Sequence, residues 1–141
     1  MSWVYSIIEH LVNKYKTNDP YELTRALNIN VYLWDLDRDI MGFYKYIRRN
    51  RFIYINKNLN IFEQRFTCTH ELGHAVLHTK INTPFLRSNT FYSIDKIERE
   101  ANEFAVKLLL YDKNLEDYET KFDCLRENGI PLEMERFLWN F

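Results

Sequence analysis

The sequence predicts an α+β fold, with helices packed around a small three-stranded sheet. Three observations predict it. Apolar residues recur at helical spacing near the start of the chain. Three short β-prone stretches crowd between residues 31 and 56, and from about residue 59 a helical period returns and persists to residue 78.

In chain order, residues 3–16 set Trp3, Ile7, Ile8, Leu11 and Tyr15 on one face and Glu9, Asn13 and Lys14 opposite, which reads as an amphipathic helix. Asp19 followed by Pro20 is a cap and a first-turn proline, opening a short helix through Leu27. Residues 31–36 ("VYLWDL") and 40–47 ("IMGFYKYI") flank the polar turn "DRD", and residues 51–56 ("RFIYIN") follow "RRN". The simplest arrangement of the three is an antiparallel meander. Phe62, Phe66, Thr69, Leu72, Gly73 and Val76 then form the apolar stripe of a longer helix. A polar loop containing Pro84 leads to Ser93, an expected N-cap with Asp95 behind it in the first turn, and to a helix through Leu110. The last thirty residues read as one or two short helices broken at "NGIP". No repeat, linker or low-complexity segment interrupts the chain, so residues 1–141 are expected to form a single domain.

Apolar residues make up 46% of the chain and charged ones 28%, as in ordinary folded domains. A net charge of −1 gives no long-range field to attract nucleic acid or an anionic membrane. The basic run at residues 45–51 ("KYIRRNR") is expected at the solvated end of a hairpin rather than on a phosphate. Cys68 and Cys124 lie far apart, with neither a CxxC pair nor a disulfide framework, which fits a reducing compartment. The N-terminus lacks the pattern of a signal peptide, and no stretch approaches the roughly 20 apolar residues of a membrane span. The expectation is a cytoplasmic protein with no membrane and no direct nucleic-acid partner.

Three of the four histidines fall in "FTCTHELGHAVLHTK", residues 66–80. Positions i and i+4 of a helix share a face, so His70 and His74 can aim their imidazoles at one ion. Glu71 lies about 100° round from His70, out of line with that pair but within reach of a water beside the ion. HExxH on a helix is the pattern of a zinc hydrolase for these reasons. The bland alternative is a pair of structural helix histidines. His78 lies about 12 Å along the axis from His70, too far to share the ion, and no glycine turns the chain between His74 and His78. Its expected place is the helix end, favoured by the dipole, with support of a ligand as a lesser option. Cys68 faces away from His70.

A catalytic zinc takes three protein ligands and keeps one position open. On the 93–110 helix, Ile94, Ile97, Ala101, Phe104, Ala105 and Leu108 form the apolar stripe. Glu98 lies at its edge, whereas Glu100 and Glu103 fall toward solvent, making Glu98 the expected third ligand and Glu100 the fallback. Ala101, Ala105 and Gly73 are small enough to let the two helices approach closely. Asn102, one turn beyond Glu98, could accept a hydrogen bond from a ligand imidazole and fix its tautomer.

Together, "FTCTHELGHAVLH" and "IEREANEFAVKLLL" resemble the ImmA/IrrE metallopeptidases, gluzincins with an HExxH…ExxxN/D arrangement. The resemblance extends to "DPYELTRALNINV", "FIYIN" and "LRENGIPLEME", and so covers most of the chain; a proline common after "LL" in the family is absent from "LLLYD". It implies a zincin-like, minimal gluzincin fold, with His70, His74 and Glu98 holding Zn2+, Glu71 as general base and Asn102 as the partner of a ligand imidazole. It also implies a protein substrate, a helix-turn-helix repressor of a mobile element or stress response, cut by a zinc endopeptidase.

Zinc chemistry of this kind polarises the scissile carbonyl while Glu71 moves the proton. Tyr92 and Tyr111, flanking the glutamate helix, are both candidates for a donor to the oxyanion. Residues 51–56 are read either as a sheet edge able to take up an extended peptide or as an interior strand. Two other functions fit the residues: a metal-containing module that sequesters a repressor without cutting it, and an inert structural zinc domain with a closed four-ligand site.

Overall fold

The computed structural model describes residues 2–86 and 95–138. Helix α1 spans Trp3–Tyr15 and is capped by Ser2, whose side chain accepts from the Tyr5 N–H. Its buried face is Val4, Ile8 and Leu11; Trp3, expected on that face, is half exposed at 51%. Helix α2, Pro20–Ala26, begins as Asp19 and Pro20 predict, with the Asp19 carboxylate accepting from Tyr21 N–H.

The sheet has four strands rather than three: β1 (Asn30–Trp34), β2 (Ile40–Ile47), β3 (Asn50–Asn56) and β4 (Thr83–Leu86), in the order β1-β3-β2-β4. The expected meander is also corrected. β2 and β3 form an antiparallel hairpin through Arg48 and Arg49, both at positive φ (51° and 66°), but β1 pairs with β3 in parallel. The reason lies in the side chains. β3 is apolar on both faces, with Ile53 and Ile55 fully buried, and takes an interior place. β1 leaves Tyr32, Leu33 and Trp34 largely exposed and suits an edge. Of the two readings of residues 51–56, the interior strand is therefore the one found. β4 escaped notice inside a loop because it is short and contains Pro84, which a sheet tolerates on an edge strand.

Lys45, Arg48 and Arg49 are exposed around the β2–β3 turn, where the sequence places them. Arg51 instead turns inward, donating to the carbonyls of Leu27 (2.8 Å) and Ala75 (3.4 Å).

Helix α3, Ile61–Leu77, starts with a reciprocal box in which Asn60 accepts from Glu63 N–H and Glu63 accepts from Asn60 N–H. It packs on β2 and β3 on one side and on helix α4 (Lys96–Leu109) on the other. Every residue from Phe66 to Ala75 is consequently buried, polar ones included. Phe62, expected in the apolar stripe, precedes this covered stretch and is 56% exposed. The N-cap of α4 is Asp95, accepting from Ile97 N–H, so this helix starts later than the expected cap at Ser93, which lies outside the described residues. Beyond it come a 3-10 turn (Leu115–Asp117), helix α5 (Lys121–Glu127) and a second 3-10 turn (Leu132–Phe137), with the break at Gly129 taken at φ 69°. Among the described residues, no helix is long and apolar enough to cross a membrane.

Candidate metal centre

The site lies where α3 and α4 touch, and Gly73 sets how closely they do so. A Cβ on Gly73 would stand 3.1 Å from the Phe104 ring and 3.3 Å from the Ala101 Cα. The absence of a side chain there lets α4 lie close against α3, bringing its first turn over the second half of α3.

From α3 come His70, Glu71 and His74, which present donor atoms all within 4.8 Å of one another. From α4 comes Glu98, whose Oε1 is 2.7 Å from His74 Nε2 and whose Oε2 is 3.5 Å from His70 Nε2. His70 and Glu71 are fully buried, His74 is 1% exposed and Glu98 8%. The structure thus gathers the two imidazoles and both carboxylates that the sequence singled out, and it distinguishes the acids by position: Glu98 bridges the two Nε2 atoms.

The orientation of His70 follows from its other nitrogen. Nδ1 lies 2.8 Å from Asn102 Oδ1, a carbonyl oxygen that can only accept, so the ring hydrogen sits on Nδ1. Nε2 is left as a bare lone pair facing the carboxylates. The His70 ring is also held flat against Phe85 of β4, with centroids 3.9 Å apart and planes 11° from parallel. Neither Phe85 nor its strand was foreseen, since "TPFL" carries no local sign of contact with a helix so far upstream.

Among the described residues, His70 Nε2, both oxygens of Glu71 and both oxygens of Glu98 are buried with no hydrogen-bond partner. The close approaches of Glu98 to the imidazoles are accordingly proximity without the alignment of a hydrogen bond. Orphaned buried carboxylates facing bare imidazole nitrogens are unfavourable alone, and a cation between them removes the penalty. The donor set of two nitrogens and a carboxylate oxygen suits zinc.

The electrostatics agree. Burial drives the Glu71 carboxyl well above its ordinary range, and the neighbouring Glu98 adds to the rise. Burial also works to raise Glu98, but the adjacent imidazoles of His70 and His74 outweigh it and hold this carboxyl well below its ordinary range. His74 is lowered, chiefly by burial. The arrangement therefore favours a neutral imidazole at His74 beside an ionised Glu98, the protonation states a metal requires.

Other expectations are revised. His78 is the C-cap of α3, but it faces the site rather than only the helix end: its Nδ1 is 3.0 Å from His74 Nδ1 and its Nε2 is 2.9 Å from Glu100 Oε1. Glu100, the fallback ligand, is engaged there. Glu103 accepts from Ser2 Oγ (2.6 Å) and pairs with Lys107 (3.1 Å), so neither acid is free in solvent as the helical phase predicted. Packing by α1 and by the end of α3 accounts for both. Tyr111 lies past the C-terminal end of α4, roughly 20 Å along the axis from Glu98. It stacks on Tyr5 and lines a cavity of about 680 Å³ with Val106 and Phe137, none of them site residues, so it is removed as an oxyanion donor. Tyr92 lies outside the described residues. Cys68 is buried, with its thiol pushed up by burial.

The sequence profile of the IrrE N-terminal-like domain, a peptidase family, matches residues 24–137. The chain belongs to this family. The chain is similar to immunity region protein 2 of Bacillus phage phi105, with 50% identity over 135 residues, 93% of this chain and 85% of that protein. It is also similar to the metallopeptidase ImmA of Bacillus subtilis (strain 168), with 30% identity over 110 residues, 78% of this chain and 64% of that protein. The chain thus spans just under two thirds of the length of ImmA. The matched region of the IrrE N-terminal-like domain contains the sheet, α3 and α4, and therefore all of the site.

Proposed function

We propose that this protein is a zinc-dependent endopeptidase, folded as one metallopeptidase domain, in which His70, His74 and Glu98 hold the ion and Glu71 is the general base. The observation that carries the reading is the set of buried donors with no partner among the described residues, four carboxylate oxygens and His70 Nε2, at the contact of α3 and α4. Zinc, when bound, supplies Lewis-acid polarisation of the scissile carbonyl and makes water acidic enough to attack at neutral pH. Glu71 takes the proton from the attacking water and passes it to the leaving amine nitrogen. Asn102 holds His70 through its Nδ1–H, and Phe85 fixes the plane of the same ring.

The extended substrate peptide pairs alongside β4, an edge strand among the described residues. That strand is on the sheet's outside and carries the ring that lies on His70, so a strand added beside it runs past the site. The proposed substrate is a helix-turn-helix repressor governing a mobile element, a reading supported by the similarity to a phage immunity region protein and to ImmA. The proposed setting is the cytoplasm.

The alternative function, sequestering a repressor without cutting it, has no use for a carboxylate at position 71. Glu71→Gln tests the two. The variant is expected to bind zinc as the wild type does and to leave an added repressor intact over a time in which wild-type protein cleaves it, as read by mass spectrometry. Cleavage by the variant, or repressor inactivation without cleavage by the wild type, would refute the endopeptidase reading.

A further inference from the structure

The two imidazoles offered by α3 are held by different devices. His70 leans on an amide oxygen, Asn102 Oδ1, at 2.8 Å. His74 leans on a second imidazole: His74 Nδ1 is 3.0 Å from His78 Nδ1, and His78 Nε2 is 2.9 Å from Glu100 Oε1. Side chains 7% and 13% exposed place this chain of contacts largely out of water.

The order of hydrogens along the chain follows from what each end can do. The carboxylate of Glu100 accepts, so His78 Nε2 carries a hydrogen. In a neutral imidazole the other nitrogen is then an acceptor, which assigns the hydrogen between the rings to His74 Nδ1. His74 Nε2 is left as a lone pair on the side of Glu98, 2.7 Å from its Oε1, matching His70 Nε2. Were His78 a cation serving only the helix dipole, both its nitrogens would donate. The hydrogen of His74 would then lie on Nε2, where it blocks a metal.

We propose that His78 and Glu100 are positioning residues for His74, an imidazole–carboxylate relay that fixes the tautomer and ring plane of this ligand. The proposal rests on the reading of His70, His74 and Glu98 as metal ligands. The spacing supports it. His78 follows His74 by one helical turn and so stacks on the same face of α3. Glu98, Glu100 and Asn102 all lie within the first two turns of α4, so this one helix supplies a ligand and the end point of both supports. The relay also ties the C-terminal end of α3 to α4 at a second point beyond the His70–Asn102 contact.

Two readouts test the relay: zinc affinity by competition with a chromogenic chelator, and the His74 tautomer by 15N imidazole NMR of the metal-free protein. His78→Phe is expected to weaken zinc binding by about 10–100-fold, the usual effect of removing a ligand's hydrogen-bond partner. Glu100→Gln, which keeps an acceptor oxygen but not the charge, should weaken it less and serves if His78→Phe does not fold. The double variant should lose no more than His78→Phe alone, because Glu100 acts through His78. Combining His78→Phe with Asn102→Ala should multiply the two losses, because they support different ligands. Metal-free wild type is expected to show His74 as the Nδ1–H tautomer, and His78→Phe a mixture. Affinities within twofold of wild type in both single variants, or an Nε2–H tautomer at His74 in the wild type, would overturn the proposal. Should wild-type protein take up no zinc, the ligand reading fails, and the tautomer alone decides the relay.

Discussion

The ring of Phe85 lies on the ring of His70, 3.9 Å away and 11° from parallel, and this contact is what joins edge strand β4 to the candidate metal centre. Phe85 is fully buried, so its truncation leaves a cavity beside an imidazole. Phe85→Ala is expected to cost about 3–5 kcal/mol in urea unfolding. Phe85→Leu should cost roughly 1–2 kcal/mol and yet weaken zinc binding several-fold, because a branched alkyl group does not hold the imidazole flat. Undiminished zinc affinity in Phe85→Leu would show that β4 does not orient His70.

The interhelical spacing makes a second prediction. Alanine at position 73 would favour the helix by about 1 kcal/mol. Its Cβ would nevertheless fall 3.1 Å from the Phe104 ring and 3.3 Å from the Ala101 backbone, and backbone cannot swing away as a long side chain does. Gly73→Ala is therefore expected to push α4 outward, carrying Glu98 with it, and to lower zinc affinity about tenfold while changing stability by no more than roughly 1 kcal/mol. Chelator competition and thermal unfolding on the same sample separate these effects. A large loss of stability with no change in affinity would contradict the role assigned to this glycine.

Much of this was legible beforehand, for local reasons. The i, i+4 geometry of one helix puts His70 beside His74 whatever the rest of the chain does, and the phase of the next helix turns Glu98 and Asn102 to its buried side. What was hidden depended on partners distant in sequence. Helical phase sends Glu100 toward solvent, and only the end of α3 crossing above it makes a place for it beside His78. The period of residues 30–34 marks a strand but not a parallel neighbour, and β1 lies beside β3 with Tyr32 and Trp34 against the ring of Tyr54. β4 and Phe85 were missed because four residues with a proline carry too little pattern to register as a strand.

Acidity gives a third prediction, for the metal-free protein. Glu71 has its folded-state pKa raised well above the ordinary 4.5, chiefly by burial and then by Glu98. The folded state thus holds a proton that the unfolded state releases, and stability falls as pH rises from about 4.5 toward the raised value. Glu98 has the opposite sign: its lowered folded value contributes stability above its unfolded pKa that is lost as pH falls below it. Glu71→Gln should remove the first effect alone. The melting temperature of metal-free Glu71→Gln is expected to match wild type near pH 4.5 and to exceed it increasingly toward pH 8. A difference that does not grow with pH would contradict a neutral, buried Glu71.

The fourth concerns the support of the sheet. Asn56, fully buried at the end of β3, donates from Nδ2 toward the carbonyls of Leu36 (3.2 Å), Asp37 (3.1 Å) and Ile40 (2.9 Å), while its Oδ1 accepts from Asn58 N–H (3.0 Å). It thereby clamps the connection that lets β1 and β2 stand on either side of β3. Asn56→Ala should cost about 1–3 kcal/mol, since it strips partners from several part-buried backbone groups at once. Hydrogen exchange should quicken first at residues 35–40. A cost below about 0.5 kcal/mol in urea unfolding would remove Asn56 as the clamp.

The most direct measurement is an X-ray structure of the protein crystallised with zinc. The expected result is one ion at roughly 2.0–2.2 Å from His70 Nε2, His74 Nε2 and an oxygen of Glu98, with Glu71 uncoordinated and facing the fourth position. An ion held elsewhere, or a Glu98 carboxylate turned away from an ion on the two histidines, would contradict the shared grip of α3 and α4 on a single cation.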